Sequence, residues 1–322
     1  MDKKRKSSKK EELLSIIVPC FNEEESILLF YNEVNYVLKK IDIKHEFIFV
    51  DDGSKDNSLE VMKKLNKKDK AVRYISFSRN FGKEAAMYAG FLNAKGDYVC
   101  TMDADLQHPP ALLPKMLEII RTKEYDSVAT KRVTRSGEAK IRSFFSSAFY
   151  KIINKISNTE VVDGATDFRL MNRKMTDSII SMGEYNRFTK GLYGWVGFKT
   201  YWLSFDNVER TAGTTKWSFW GLVRYAINGI LNFSDVPLDL TSWLGCIMTF
   251  VAFVFLILIV IDSLVNGEPI AGWASTICVI IFIGGVQLLC LGVIGQYISK
   301  IYTETKKRPQ YIVSESSDKE IK

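Results

Sequence analysis

The sequence predicts an α/β protein with a parallel sheet covered on both faces, joined to a pair of membrane-spanning helices. Three observations predict it. Short β-branched or aromatic runs alternate with amphipathic helical stretches from Ser15 to Thr130. Polar clusters recur where each run ends. Further on, the interval between Arg224 and Lys300 holds no Lys or Arg and most of the long apolar runs.

The elements justify themselves in order. Ser15-Ile16-Ile17-Val18-Pro19 is a first strand, closed by a proline that cannot donate to a ladder. Asn22, with Glu25 three residues on, has the form of a capping box for a helix to about Lys40, whose apolar face is Ile27, Phe30, Tyr31, Val34 and Val37. Phe47 to Val50 is a second strand, ending at Asp51-Asp52-Gly53-Ser54, and a helix around Leu59, Met62 and Leu65 follows. Val72 to Phe77 is a third strand, and Gly82 to Ala94 a helix with Gly96 near its C-cap. Tyr98-Val99-Cys100 is a fourth strand, a helix over about Pro110 to Arg121 comes next, and Asp126 to Thr130 is a fifth strand. Asp167-Phe168-Arg169 reads as a further short strand or turn.

In parallel sheets with this rhythm, ligands bind beyond the carboxyl ends of the strands. The polar clusters fall there: Asn22-Glu23, Asp51-Asp52, Ser78-Arg79-Asn80, Asp103-Ala104-Asp105 and Lys131-Arg132. Asp103 and Asp105 share one face of an extended chain, because side chains there repeat every second residue. Two adjacent anions repel unless a cation lies between them, and hard oxygen ligands suit magnesium or manganese. Taken alone, the pair fits a solvated turn before a Pro-initiated helix equally well; its place among five clusters at one rim favours the metal.

Composition excludes other chemistries. The 322 residues include 44 Lys and Arg against 37 Asp and Glu, a net charge of +7, and only two histidines. That leaves little room for His-based metal or triad chemistry. Five cysteines show no paired spacing, which argues against a zinc site or a disulfide framework. The turn after the first strand is acidic and lacks glycine, so it is not a dinucleotide fingerprint, and no phosphate-cradling Gly-x-x-x-x-Gly-Lys loop is present.

The expected organisation has five parts. Residues 1–12 are a basic disordered arm without signal-peptide character, and residues 13–216 the soluble α/β domain. Arg135 to Ile156 is amphipathic and basic, fitting both a surface helix and a bilayer interface. Residues 217–236 form an aromatic-rich amphipathic juxtamembrane helix ended by Pro237. Residues 237–300 form a two-span hairpin, with apolar runs Leu240–Ile261 and Ile270–Ile298 long enough to cross a hydrocarbon core. Residues 301–322 are a tail. Lys and Arg crowd both flanks of the hairpin and are missing from its turn, which puts the catalytic part and both termini on the cytoplasmic side. Gly284, Gly285, Gly292 and Gly295 suit close helix packing, and with the aromatic helix they favour a homo-oligomer, a dimer or tetramer.

Together, Val18-Pro19-Cys20-Phe21-Asn22-Glu23, Val50-Asp51-Asp52-Gly53-Ser54, Ser78-Arg79-Asn80-Phe81-Gly82-Lys83, Met102-Asp103-Ala104-Asp105-Leu106-Gln107, Asp167-Phe168-Arg169 and the Arg210 to Trp217 loop make a specific pattern. From Leu13 to about Arg308 the chain resembles glycosyltransferase family 2, and within it the polyprenyl-phosphate glycosyltransferases of dolichol-phosphate mannose synthase or bactoprenol glucosyltransferase type. The resemblance implies a GT-A, Rossmann-like nucleotide-diphospho-sugar transferase domain. It implies a nucleotide-sugar donor, UDP-glucose first, with UDP-N-acetylglucosamine, UDP-galactose or GDP-mannose as alternatives. The acceptor would be undecaprenyl or another polyprenyl phosphate in the membrane, and no nucleic acid is involved. Carried over residue by residue, Pro19, Asn22, Glu23, Asp51 and Asp52 line the base and ribose pocket, with Lys83 nearby. Asp103, Asp105 and Gln107 hold Mg²⁺ or Mn²⁺ on the diphosphate. Arg132 and Arg142 receive the acceptor phosphate, Arg210 and Lys216 close over the phosphates, and Asp167 lies at the sugar pocket. A processive polysaccharide synthase would need a Gln-x-x-Arg-Trp motif and a larger channel, and the sequence has neither. A membrane-anchored scaffold that binds the donor without turnover is the reading from another class.

Overall fold

The computed structural model describes residues 11–132, 162, 164–205, 234, 236–266, 273–318, 320 and 321. The strands are β1 (Leu13–Cys20), β2 (Lys44–Asp51), β3 (Val72–Phe77), β4 (Tyr98–Thr101), β5 (Ser127–Arg132), β6 (Ala165–Asn172), β7 (Thr200–Phe205) and β8 (Val313–Ser316). The helices are α1 (Ser26–Leu38), α2 (Ser58–Lys68), α3 (Lys83–Asn93), α4 (Leu113–Arg121), α5 (Arg173–Ser181), α6 (Thr189–Trp195), α7 (Val236–Asn266) and α8 (Trp273–Thr305). A 3₁₀ turn at Pro110–Leu112 leads into α4, since a proline there loses no helical hydrogen bond.

One eight-stranded sheet runs β7-β5-β6-β4-β1-β2-β3-β8. Its centre is parallel, as the alternating pattern predicts: β1 pairs with β2 and β4, and β2 with β3. The expectation of a wholly parallel sheet is corrected at two places. β6 inserts antiparallel between β4 and β5, and β8 adds antiparallel to β3 at the edge. The reversal of β6 matters for the site, because it brings the start of that strand to the rim where β4 ends.

Alternation along the strands splits the core into two layers. Ile16, Val18, Phe47 and Phe49 face α1, α2 and α4, while Ile17, Ile48 and Val50 face α3, α5 and α6. Both layers are fully buried at their centres, Phe30, Phe49 and Phe91 among the largest side chains. Burying each such side chain contributes about 1.5–3 kcal/mol, the main favourable term holding helices to sheet.

One local expectation changes and one gains a reason. Asn22 does not cap α1: it adopts φ 54°, its Oδ1 accepts the Lys55 N–H at 2.8 Å, and the N-cap of α1 is Glu25 without a side-chain bond. Gly96 stands two residues past the C-cap of α3, Ala94, near it as expected; a Cβ on Gly96 would lie 2.5 Å from the Tyr98 carbonyl oxygen and 2.7 Å from the Ser15 nitrogen. Close backbone approach is what that glycine permits.

α7 and α8 contain the apolar stretches Val236–Ile259 and Val279–Thr305, with mean hydropathy 2.5 and 2.2 and side chains exposed on the protein. Pro237 lies in the first turn of α7 and so opens that helix. The Tyr297 hydroxyl donates to the Ser234 carbonyl at 2.8 Å, tying the end of α8 to the start of α7. The amphipathic stretches 135–156 and 217–233 lie outside the described residues.

Candidate active site

The loops after β1 and β2 lock into each other. The Asn22 N–H donates to Ser54 Oγ (2.9 Å), Glu23 N–H to Ser58 Oγ (2.8 Å), and Asn57 N–H to Glu24 Oε2 (2.9 Å). The buried Asp51 accepts from the Ser54 N–H at 2.9 Å and from the Ser76 hydroxyl at 2.7 Å. Asp52, also buried, accepts from the Phe81 and Gly82 N–H groups at 2.7 and 2.9 Å, and thereby holds the loop that leads into α3. Burial pushes the Asp52 carboxyl above its ordinary value despite those two N–H bonds. Gly53 has φ +68°, and a Cβ there would lie 2.4 Å from the Arg79 carbonyl carbon, so the loops after β2 and β3 touch backbone to backbone. Pro19 and Glu23 belong to the same assembly: Pro19 pairs with Val50, and Glu23 Oε2 accepts the Ser26 hydroxyl at 2.9 Å. The five residues expected around the base and ribose are thus brought together, with the carboxylates of Asp51 and Asp52 engaged in holding the loops.

α3 begins at Lys83, and this side chain organises the other half of the rim. The register of β4 and β6 sets Thr101 opposite Arg169, so two residues further on Asp103 comes opposite Asp167. The Lys83 ammonium lies 2.6 Å from Asp103 Oδ1 and 2.6 Å from Asp167 Oδ2. Burial alone would raise both carboxyls, but the ammonium outweighs it and holds each below the ordinary carboxylate range. Lys83 itself is raised, its two carboxylates overcoming burial. The Asp103 N–H faces His108 Nδ1 at 3.5 Å, and the buried His108 ring stacks on Phe168 at 5.6 Å. Burial lowers the His108 imidazole despite the nearby Asp103. Asp105 Oδ1 accepts the Gln107 N–H at 3.1 Å across a turn in which Leu106 has φ 57°. The Gln107 Oε1 accepts from Arg132 Nη2 at 3.1 Å, which links the Asp loop to the end of β5.

The donor set fits a hard divalent cation. Asp103 and Asp105 offer carboxylate oxygens, and the Lys83 ammonium between Asp103 and Asp167 favours the ionised form of those two groups. Among the described residues no group of three or more His, Cys, Asp and Glu is placed to hold a metal ion by itself. A Mg²⁺ or Mn²⁺ ion on Asp103 and Asp105 would need its remaining ligands from water and substrate phosphate. The structure therefore assembles Pro19, Asn22, Glu23, Asp51, Asp52, Lys83, Asp103, Asp105, Gln107, Arg132 and Asp167 along one rim. Arg142, Arg210 and Lys216 lie outside the described residues. Two contributors were not legible as such: His108, buried behind Asp103, and Lys83 as a bridge rather than a neighbour. The reversed strand that carries Asp167 was the missing signal for the second.

Comparison with known proteins identifies the family. Residues 15–180 match the family described as glycosyl transferase family 2. CsbB of Bacillus subtilis, provisionally named a glycosyltransferase, is 42% identical over 308 residues, covering 96% of this chain and 93% of the relative. The prophage bactoprenol glucosyl transferase homolog of Escherichia coli is 39% identical, covering 93% and 98%. The bactoprenol glucosyl transferase of Shigella phage SfII is also 39% identical, covering 94% and 98%. Among solved structures, mannosyl-3-phosphoglycerate synthase from Rubrobacter xylanophilus is similar with a TM-score of 0.48 and 14% identity, over 68% of this chain and 72% of that one.

Proposed function

We propose that this chain, which belongs to glycosyl transferase family 2, transfers one sugar from a nucleotide-sugar to a polyprenyl phosphate at the cytoplasmic membrane surface. Undecaprenyl phosphate is the acceptor we favour and UDP-glucose the donor, in keeping with relatives named bactoprenol glucosyl transferases. The observation that carries the reading is the rim itself: the interlocked loops after β1 and β2 beside the Lys83–Asp103–Asp167 cluster. Apolar helices α7 and α8 follow in the same chain and suit a lipid-borne acceptor.

Asp103 and Asp105 would hold Mg²⁺ or Mn²⁺, which when bound would supply charge neutralisation for a diphosphate leaving group. The protein's own residues do the rest. Lys83 holds Asp103 and Asp167 in fixed positions, and Gln107 fixes the Arg132 guanidinium beside the same loop. Arg132, with Arg142, orients the acceptor phosphate for in-line attack and inversion at the anomeric carbon. A phosphate monoester with a second pKa of about 6 is largely ionised at neutral pH, so no strong general base is required of Asp105. Arg210 and Lys216 close on the phosphates. A dimer or tetramer formed through the glycine-bearing face of α8 completes the membrane assembly.

The test uses membranes containing the chain, undecaprenyl phosphate and labelled UDP-glucose, UDP-N-acetylglucosamine, UDP-galactose or GDP-mannose, with lipid extraction as readout. Labelled lipid is expected from UDP-glucose, only with Mg²⁺ or Mn²⁺, and at least about a hundredfold less with Asp103→Ala or Asp105→Ala. Unchanged transfer in those variants would refute the metal assignment. No lipid product from any donor would leave a donor-binding scaffold as the reading.

A further inference from the structure

The loop from Ser78 to Lys83 is fastened from two sides. Ser78, Arg79 and Asn80 are exposed, and Phe81 is the loop's one apolar side chain, so its anchors decide where it lies. One anchor is Asp52, which accepts the Phe81 and Gly82 N–H groups. The other comes from the chain after α8. The Ser78 N–H donates to the Ile312 carbonyl at 2.9 Å. The Tyr311 ring stacks on Phe77 at 4.7 Å and 16°, and Phe77 meets Phe81 edge-on at 5.8 Å and 88°. Ring pairs of this kind contribute beyond the area they bury. The segment that brings Tyr311 there is itself held. Glu304, in the last turn of α8, accepts the Tyr185 and Asn186 N–H groups at 2.8 and 3.2 Å. Gln310 Nε2 donates to the Gly183 and Glu184 carbonyls at 3.0 and 2.6 Å. One loop thus grips the segment at both ends, and Tyr311 follows directly on the second grip.

We propose that Tyr311 is a positioning residue for the donor site. Its ring fixes Phe77 and, through Phe81, the 78–83 loop, without touching the donor. Lys83 and the two N–H groups on Asp52 belong to that loop and take their places from it. The chain after the second apolar helix therefore takes part in donor binding, which ties the membrane hairpin to the catalytic rim. The kinetic side of this inference rests on the function proposed above, whereas the hold on the loop does not. A loop that meets donor and transition state alike alters KM and leaves kcat. A residue that only stabilises the fold alters the amount of active enzyme, and so the apparent kcat, at constant KM.

The full-length chain in detergent micelles is the material for the test. Tyr311→Leu keeps apolar bulk and removes the ring, and Tyr311→Phe keeps the ring and removes the hydroxyl. Tyr311 is half-buried, so both changes are compatible with folding, and Tyr311→Met is the substitute if the leucine variant does not fold. In transfer assays Tyr311→Leu should raise the KM for UDP-glucose about tenfold, with kcat kept within about twofold and the KM for undecaprenyl phosphate unchanged. Tyr311→Phe should restore the wild-type KM. Hydrogen exchange of the Phe81 and Gly82 amides should be about tenfold faster in Tyr311→Leu and wild-type in Tyr311→Phe. An unchanged donor KM in the leucine variant, whatever its kcat, overturns the proposal, as does unchanged exchange at Phe81 and Gly82. A phenylalanine variant as impaired as the leucine one takes the role from the ring and overturns it too. If no donor gives a lipid product, the proposed function fails, and the exchange rates alone decide whether Tyr311 holds the loop.

Discussion

Lys83 sits where an ammonium and a divalent cation would compete for one carboxylate. With Asp103 and Asp167 each 2.6 Å away, removing its charge leaves two anions facing each other. The cost lies between that of an exposed pair and a buried one, about 1–3 kcal/mol, because the lysine side chain is 42% exposed. Lys83→Met is therefore expected to unfold at a lower temperature than the wild type without metal, and to gain more from added Mn²⁺. Thermal unfolding of the solubilised protein with and without Mn²⁺ checks both; a metal response smaller than wild type would refute the competition. The Asp-x-Asp pair was legible because its spacing and strand-end position are local. The bridge was not, since Asp167 is 84 residues from Lys83 and reaches it only through a strand that runs against its neighbours. His108 was set aside with the other histidine for a similar reason. Nothing in its flanking residues tells that Phe168 covers it from β6.

The central strands and helices α1 to α4 were legible because each carries its own apolar period. β8 was not. Val313–Ser316 is four residues long and polar, and its attachments are to residues far away in the chain. Arg73 joins Glu46 at 2.7 Å and Asp318 at 2.8 Å, Lys63 and the Tyr74 hydroxyl reach Glu315, and Tyr311 stacks on Phe77 at 4.7 Å. The segment expected as a tail thus completes the sheet. Burial would raise the Asp318 carboxyl, but the Arg73 bond prevails and lowers it; Lys63 and Tyr74 lower Glu315. A carboxylate whose folded pKa lies below its unfolded value of about 3.9–4.3 stabilises above that value, and the contribution is lost as pH falls through the folded pKa. β8 docking should then be constant from about pH 5 to 8 and weaken below about pH 4. Hydrogen exchange of the Ser78 and Ser317 amides, corrected for intrinsic rates, reads this directly, since they donate to Ile312 and Tyr74 across the junction. Arg73→Met should show at pH 7 the exchange that the wild type shows in acid. Equal protection in the variant would refute the ionic attachment.

At the scale of the whole molecule, the sheet and the two apolar helices constrain each other. α8 ends at Thr305, and eight residues later the chain is already paired with β3 as β8. Glu304 accepts from the Tyr185 and Asn186 N–H groups, so the last turn of α8 is fastened to the α/β domain. The start of α7 is held to α8 by the Tyr297–Ser234 bond, and Cys290 Sγ lies 3.9 Å from the Thr241 carbonyl. Both domain-side ends of the hairpin therefore lie together, and the Asn266 end of α7 is a full helix away, about 45 Å at 1.5 Å per residue. If the hairpin crosses a bilayer, Asn266 and Ser317 must face opposite sides. The absence of Lys and Arg between Arg224 and Lys300, with Lys306, Lys307 and Arg308 just after α8, is the pattern from which we propose that Ser317 faces the cytoplasm. In intact cells a membrane-impermeant thiol reagent should label Asn266→Cys at once and Ser317→Cys only after permeabilisation, against the background of the unsubstituted chain. Labelling of both from outside would refute the crossing. Labelling of Ser317→Cys alone would invert the orientation, and would place the rim of Asp103 and Asp105 on the side without cytoplasmic nucleotide-sugars.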